Sequence, residues 1–222
     1  MITLYHCANA RSFRALWALE EIGLDYELKM LPFPPRFLAR EYLEINPLGT
    51  IPYLIDGETR MTESCAICLY LAERYGAAKL KVAADEPAYG AYLNGLFFGE
   101  ATLTFPQTIV LRYSRLEPEE RRLPQAATDY ARWFLARLRA VDAIVSGQDY
   151  YCAGRFTMAD ISIGYALLFA NALGLDCDFS DALRAYWKRL TTRPAFLAAT
   201  AAQERAGIEQ GSGEPALTLR AG

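Results

Sequence analysis

A small α/β domain followed by an all-α domain is the fold class this sequence predicts. Three observations carry the prediction. Strand and helix signals alternate over the first 80 residues. After a linker-like stretch at 77–87, rich in small and charged residues with Pro87, only helical periodicities remain. The segment 157–173 is apolar all round, as a helix buried in a helical core must be. The predicted domains are 1–78 and 88–205, with a flexible Gly- and Pro-containing tail at 206–222.

The elements follow in order. Ile2 to Cys7 leans to strand. Phe13 to Ile22 carries apolar residues at 13, 16, 17, 19 and 22, a helical spacing that Gly23 ends. Tyr26 to Leu31 reads as a second strand, and Pro32, Pro34 and Pro35 enforce a loop after it. Ile51 to Ile55 is a third strand. Asp56-Gly57 signals a hairpin, because both residues tolerate positive φ, and Arg60-Met61 opens the return strand. Ser64 to Tyr75 is a helix with Gly76 at the glycine position past its end. The order is βαβ, then ββα. In the second domain, Tyr89 to Tyr113 is a long helix, kinked or broken near Pro106. Residues 125–146 repeat Tyr130, Phe134, Leu138, Val141 and Val145 on one face. Thr157 to Leu173 is the buried helix, and helices near 180–190 and 194–205 follow.

Composition removes several function classes. With 222 residues, 53% apolar and 22% charged, the chain is long and apolar enough for a real core. Net charge is −3, and residues 1–80 hold 8 Lys+Arg against 10 Asp+Glu, so neither half hides a basic surface for nucleic acid or membrane. The longest apolar run, Ile161 to Ala170, is too short to span a bilayer, and the start lacks a basic leader, which leads to the expectation of a cytoplasmic protein. Five scattered cysteines do not form a disulfide framework. The single histidine, His6, leaves no material for a His-rich metal centre, so no metal is expected, and no nucleophile elbow accompanies it. Neither a Walker loop nor G-x-G-x-x-G occurs.

Two motifs stand out. In Phe156-Thr157-Met158-Ala159-Asp160-Ile161, Thr157 caps the buried helix, Asp160 reaches back to the cap, and Phe156 and Ile161 form a hydrophobic staple. Its role is structural. The second is Asn46-Pro47-Leu48-Gly49-Thr50-Ile51-Pro52-Tyr53-Leu54, followed by Thr62-Glu63-Ser64. Pro52 at the mouth of a strand cannot donate to a ladder, and Ile51-Pro52 is a candidate cis peptide. A bend there leaves the peptide groups of Ile51 for an extended ligand. The first turn of the helix at Ser64 suits a carboxylate, and Glu63 an ammonium. A plain turn and N-cap is the ordinary alternative.

With these motifs in this order, residues 1–205 resemble the cytosolic glutathione transferases. The helix Arg14-Ala15-Leu16-Trp17-Ala18-Leu19-Glu20-Glu21 adds to the likeness. The resemblance implies a thioredoxin-like N-terminal domain plus an all-α C-terminal helical bundle, glutathione as cosubstrate, a homodimer, and a detoxifying transferase. It implies that Pro52 is cis, that Ile51 pairs with the cysteinyl unit of glutathione, and that Glu63 and Ser64 hold the γ-glutamyl end. Chemistry in this family stabilises the glutathione thiolate for attack on a small hydrophobic electrophile, in conjugation or peroxide reduction.

The residue that stabilises the sulfur is open. Counting back from Gly23, position 9 falls where serine-type members carry serine and omega-like members cysteine; here it is Asn9, an amide that donates to sulfur but forms no mixed disulfide. Position 11, cysteine in beta-like members, is Arg11. Ser12 follows at the start of the first helix, and Tyr5 lies near the phenol of tyrosine-type members. The candidates rank Asn9, Ser12, Arg11, Tyr5, each also readable as turn residue, N-cap, solvated charge or strand packing. Cys65-x-x-Cys68 lies inside a helix away from the first strand–helix turn and reads as core, and Cys7 as a strand residue. Leu96, Phe97, Glu100, Thr104, Tyr113 and Tyr165 are the candidate electrophile pocket, with Glu100 alternatively reaching across a dimer to a glutathione ammonium. A glutathione-dependent thiol oxidoreductase and a noncatalytic glutathione-binding or stress-regulatory protein are the competing readings.

Overall fold

A computed structural model describes residues 1–212. The chain forms two compact units. Among the described residues, one holds Met1–Lys81 together with residues 191–212; the other holds Val82–Leu190.

The first unit is built on a four-stranded sheet. Strands β1 (Ile2–His6), β2 (Tyr26–Met30), β3 (Tyr53–Asp56) and β4 (Thr59–Met61) lie in the order β2-β1-β3-β4. β1 and β2 are parallel, and the other pairs antiparallel. A parallel pair needs a crossover, supplied by helix α1 (Phe13–Ile22). The residues from Phe13 to Leu19 are all buried, and Gly23 ends the helix in the left-handed conformation at φ 77°. After β2 comes a short helix, α2 (Pro35–Leu38), where the three prolines led to a loop; Phe33-Pro34 is cis there. The third strand starts at Tyr53 and not at Ile51, because the Pro52 ring offers no ladder donor. In the hairpin, Asp56 closes the strand opposite Thr59 and only Gly57 takes positive φ, so the turn needs one permissive residue and not two. Helix α3 (Ser64–Arg74) completes the order, which is βαβ and ββα with α2 inserted between them.

The second unit is helical: α4 (Tyr89–Phe97), α5 (Phe105–Leu111), α6 (Pro124–Val145), α7 (Met158–Leu173) and α8 (Asp181–Thr191). The irregularity expected near Pro106, a kink or a break, takes the form of a π-helical turn, Phe98–Thr104, joining α4 to α5. A proline cannot donate to the carbonyl four residues back and its ring crowds that carbonyl, and a wider ladder ahead of it resolves both. α7 starts as expected: Thr157 N donates to Asp160 Oδ2 at 2.8 Å, and Thr157 Oγ1 accepts from Ala159 N at 3.3 Å. Asp160 is fully buried and also accepts from Tyr151 N and Tyr186 Oη, each at 2.8 Å, so the cap doubles as a junction of three segments.

The last helix, α9 (Pro194–Gln210), corrects two expectations. It belongs to the first unit, where 88–205 was read as one helical domain. Phe196 packs edge-on against Trp17 (5.0 Å between centroids) and Phe13 (5.3 Å), and Arg193 makes a two-point ion pair with Glu21 at 2.6 and 2.7 Å. It also runs through residues 206–210, placed at first in the flexible tail. Gln210 holds its end by donating to Leu28 O and accepting from Met30 N, both at 2.8 Å, and these anchors outweigh the weak propensity of Gly207. Residues 213–222 of that tail lie outside the described residues.

Candidate functional site

The sheet register brings the singled-out residues to one end of the first unit. Tyr5 pairs with Tyr53, so the chain leaving β1 and the chain entering β3 meet at the same edge. Leu54 pairs with Met61, so Thr62, Glu63 and Ser64 run out at that edge too. Three segments converge: the loop 7–12, the loop 46–52 and the start of α3.

The loop 46–52 is held by its own motif residues. Asn46 is buried; its Nδ2 donates to Thr50 O at 2.9 Å and its Oδ1 accepts from Leu48 N at 3.2 Å. Tyr42 Oη donates to the same Thr50 carbonyl at 2.7 Å. Gly49 takes φ 58°, and a Cβ there would meet Arg36 Cβ at 2.7 Å. Ile51-Pro52 is cis, as the resemblance implied. Ile51 precedes the ladder, and its peptide groups have no hydrogen bond among the described residues. The turn at Asn46 to Thr50 is tied by the Asn46 and Tyr42 bonds, and the half-exposed peptide of Ile51 beside it is open to an extended ligand.

At α3, Glu63 is exposed at the N-cap and makes no capping bond, while Ser64 is buried and its Oγ accepts from Arg14 Nη1 at 3.2 Å. Arg14 is itself fully buried. A buried cation under the positive end of an eleven-residue helix makes this corner attractive to a carboxylate.

The loop 7–12 sorts the four thiol-activation candidates. Asn9 is 6% exposed and takes φ 58°, a conformation that asparagine tolerates better than most residues. Ser12 is fully buried, and its hydroxyl bridges Cys7 N (3.3 Å) and Cys7 O (3.4 Å); it closes the loop and makes no capping bond. Arg11 is half-buried. Tyr5 is half-buried between the rings of Tyr42 (5.3 Å) and Tyr53 (6.2 Å). Cys7 falls one residue past β1, so it is not a strand residue; it is buried, and burial pushes its thiol up to about 12. Cys65 and Cys68 are buried in α3, and burial raises the Cys68 thiol strongly, as a core role requires.

Sequence reasoning missed Gln203. It lies on α9, buried, and contacts both Asn9 and His6. A signal existed: Phe196, Ala199 and Gln203 are the buried residues of α9, a stripe at helical spacing with one polar member.

In the helical unit the six pocket candidates separate. Leu96, Thr104 and Tyr165 sit in the packed interior, with Thr104 Oγ1 donating to Gly99 O at 2.7 Å. Phe97 is 55% exposed, and Glu100 and Tyr113 are half-buried. Only the latter three offer appreciable surface to a small molecule. No group of three or more His, Cys, Asp or Glu among the described residues could hold a metal ion.

Comparison with known proteins gives the family. Residues 1–73 match the family model of the glutathione S-transferase N-terminal domain, and residues 110–194 that of the C-terminal domain. Glutathione S-transferase 2 of Schizosaccharomyces pombe is 30% identical over 169 residues, covering 72% of this chain and 71% of that protein. Among solved structures, a glutathione transferase of Phanerochaete chrysosporium in complex with oxidized glutathione is 28% identical with a TM-score of 0.81, covering 92% of this chain and 97% of that one. A sphingomonad glutathione S-transferase complexed with glutathione is 27% identical with a TM-score of 0.79, covering 91% and 98%.

Proposed function

The chain belongs to the glutathione S-transferase family, and we propose that it activates the thiol of glutathione as a thiolate for attack on small hydrophobic electrophiles, by conjugation or peroxide reduction. It is a glutathione transferase with glutathione as cosubstrate. The observation that carries the assignment of roles is the convergence, at one sheet end, of an unladdered peptide at Ile51, the start of α3 and the Asn9 loop.

Each part of glutathione has a complement there. The peptide of Ile51, beside Pro52, pairs with the cysteinyl backbone. Glu63 receives the γ-glutamyl ammonium. The Ser64 hydroxyl, its oxygen already accepting from Arg14, donates to the γ-glutamyl carboxylate together with the first N–H groups of α3. Asn9 donates an amide hydrogen to the sulfur, with Arg11 as the cationic alternative; Tyr5 ranks behind both, and Ser12 shapes the loop. A free thiol near pKa 8.5 is only a few per cent ionised at neutral pH. Lowering it by about two units takes roughly 2.7 kcal/mol. One or two hydrogen bonds to the charged sulfur supply that, at about 1.5–3 kcal/mol each. Phe97, Glu100 and Tyr113 are proposed to meet the electrophile, with Leu96, Thr104 and Tyr165 as the packing behind them.

The thiol oxidoreductase alternative lacks an accessible thiol at this end: positions 9 and 11 are Asn and Arg, and Cys7 is buried. A homodimer, a cytoplasmic location and a detoxifying role complete the proposal. No helix among the described residues is long and apolar enough to cross a membrane.

The test is titration of bound glutathione by the ultraviolet absorbance of its thiolate, in the parent and in Asn9→Ala. The expected result is a thiol pKa about two below the free value, moving at least halfway back in Asn9→Ala. Tight binding with an unshifted thiol in the parent overturns the enzymatic reading and leaves a glutathione-binding protein.

A further inference from the structure

Gln203 grips Asn9 at both ends. The backbone N–H of Asn9 donates to Gln203 Oε1 at 3.0 Å, and Gln203 Nε2 donates to Asn9 Oδ1 at 2.7 Å. His6 Nε2 lies 3.0 Å from the same Gln203 Oε1. All three residues are buried, His6 completely.

Donor and acceptor chemistry admits one assignment of this cluster. A backbone amide only donates, so the end of Gln203 facing Asn9 N is its oxygen. That oxygen then requires a proton on His6 Nε2, which makes Nδ1 the bare nitrogen. Two observations agree. Nδ1 has no partner among the described residues, and burial lowers His6 to about 4, so the ring is neutral. With its oxygen fixed, Gln203 turns its NH2 to the Asn9 side chain, and Asn9 answers with its own oxygen. The NH2 end of Asn9 is thereby directed away from α9. A half-turn of the Asn9 amide would set donor against donor and lose the 2.7 Å bond.

We infer that Gln203 is a positioning residue for thiol activation: it locks the Asn9 carboxamide so that its donor end, and not its oxygen, is presented to the glutathione sulfur. The inference rests on the reading of Asn9 as the donor to the thiolate. Rotated by half a turn, the same amide would aim a carbonyl dipole at an anion and disfavour it. The backbone bond from Asn9 N adds a second function, since it holds the left-handed φ of the loop. The orienting chain runs from a peptide group, whose polarity is fixed by covalent structure, through Gln203 to the reacting sulfur.

The experiment is a double-mutant cycle of Gln203→Met and Asn9→Ala, read by thiolate titration of bound glutathione and by kcat and KM. Met keeps the length and bulk of Gln203 without its polar atoms. Gln203→Met is expected to raise the bound thiol's pKa by about one. It is expected to lower kcat near pH 7 about threefold, the loss in thiolate fraction that such a rise produces, with KM for glutathione changed less than that. In the Asn9→Ala background it adds nothing to the thiol pKa. Should Gln203→Met not fold, Gln203→Leu takes its place. Leu also removes both polar atoms that hold Asn9 and adds no charge near the sulfur, with the same expected rise. A thiol pKa equal to the parent's in either folded variant overturns the inference while Asn9→Ala still raises it, as do additive shifts in the cycle. If Asn9→Ala itself leaves the thiol unchanged, the reading of Asn9 falls and takes the inference with it.

Discussion

Asn46 and Gly49 show how much of a binding loop single residues decide. Asn46 ties both sides of the turn, and Gly49 supplies a positive φ where the backbone passes close to Arg36 and Leu43. Gly49→Ala should cost about 2–4 kcal/mol in urea unfolding, from left-handed strain plus overpacking. A cost near zero would mean that the loop yields freely. His6 makes a second prediction at this scale. Its folded pKa, about 4, lies below the ordinary 6.5, so the unfolded chain binds the extra proton first. Stability conferred by the neutral, buried ring is full above pH 6.5 and is lost as pH falls through about 4, by up to about 3 kcal/mol. His6→Gln, which keeps a donor for Gln203 but does not titrate, should show a flatter stability profile across that window. Identical slopes in the two proteins would assign the acid sensitivity to carboxylates. The N-P-x-G motif was legible because its partners lie within a few residues. The Gln203–Asn9 bond was not, because 194 positions separate its ends and no local pattern pairs them.

Among the elements, α7 and the α4–α5 joint carry the helical unit. The α7 cap was readable from six consecutive residues, since the capping box and staple are local chemistry. α1 was readable to the residue for the same reason: a helical stripe and a terminal glycine. The joint was legible only as a kink or a break. Pro106 signals that a regular helix cannot continue, but the choice between a break and a π turn depends on what packs alongside. Here Gly99, inside that turn, lies against α7: a Cβ would stand 2.6 Å from the Ser162 carbonyl carbon and 2.8 Å from its oxygen, both backbone atoms. Gly99→Ala should therefore cost about 3 kcal/mol or more, read as a fall in thermal midpoint, because neither helix can give way without breaking the contact. Substitution without loss would show the two helices to be loosely packed. Strand limits erred by a residue or two: proline trimmed the start of β3, while the hairpin carried the ladder out to Asp56 and Thr59.

For the molecule as a whole, α9 decides what counts as a domain. The first 81 residues contain every element of the sheet, yet Phe13 and Trp17 are covered by Phe196, Glu21 by Arg193, and Asn9 by Gln203. A fragment of residues 1–81 should lack a cooperative unfolding transition, whereas the same fragment joined by a flexible linker to residues 191–212 should regain one. Cooperative folding of 1–81 alone would refute this division. The two-domain plan was legible from the change of periodicity near residue 80. The return of the last helix was not, because an apolar stripe says that a helix is covered and not by what.

That return has a consequence during synthesis. The residues proposed to bind glutathione precede the 109 residues of the second unit, 82–190, whereas the helix that covers their core follows them. At about 5–20 residues per second, making those 109 residues takes roughly 5–20 s, during which the aromatic face around Trp17 stays uncovered. The nascent first unit is thus a client for chaperones through that interval, and the loop that carries Asn9 gains its Gln203 partner only once α9 has been made.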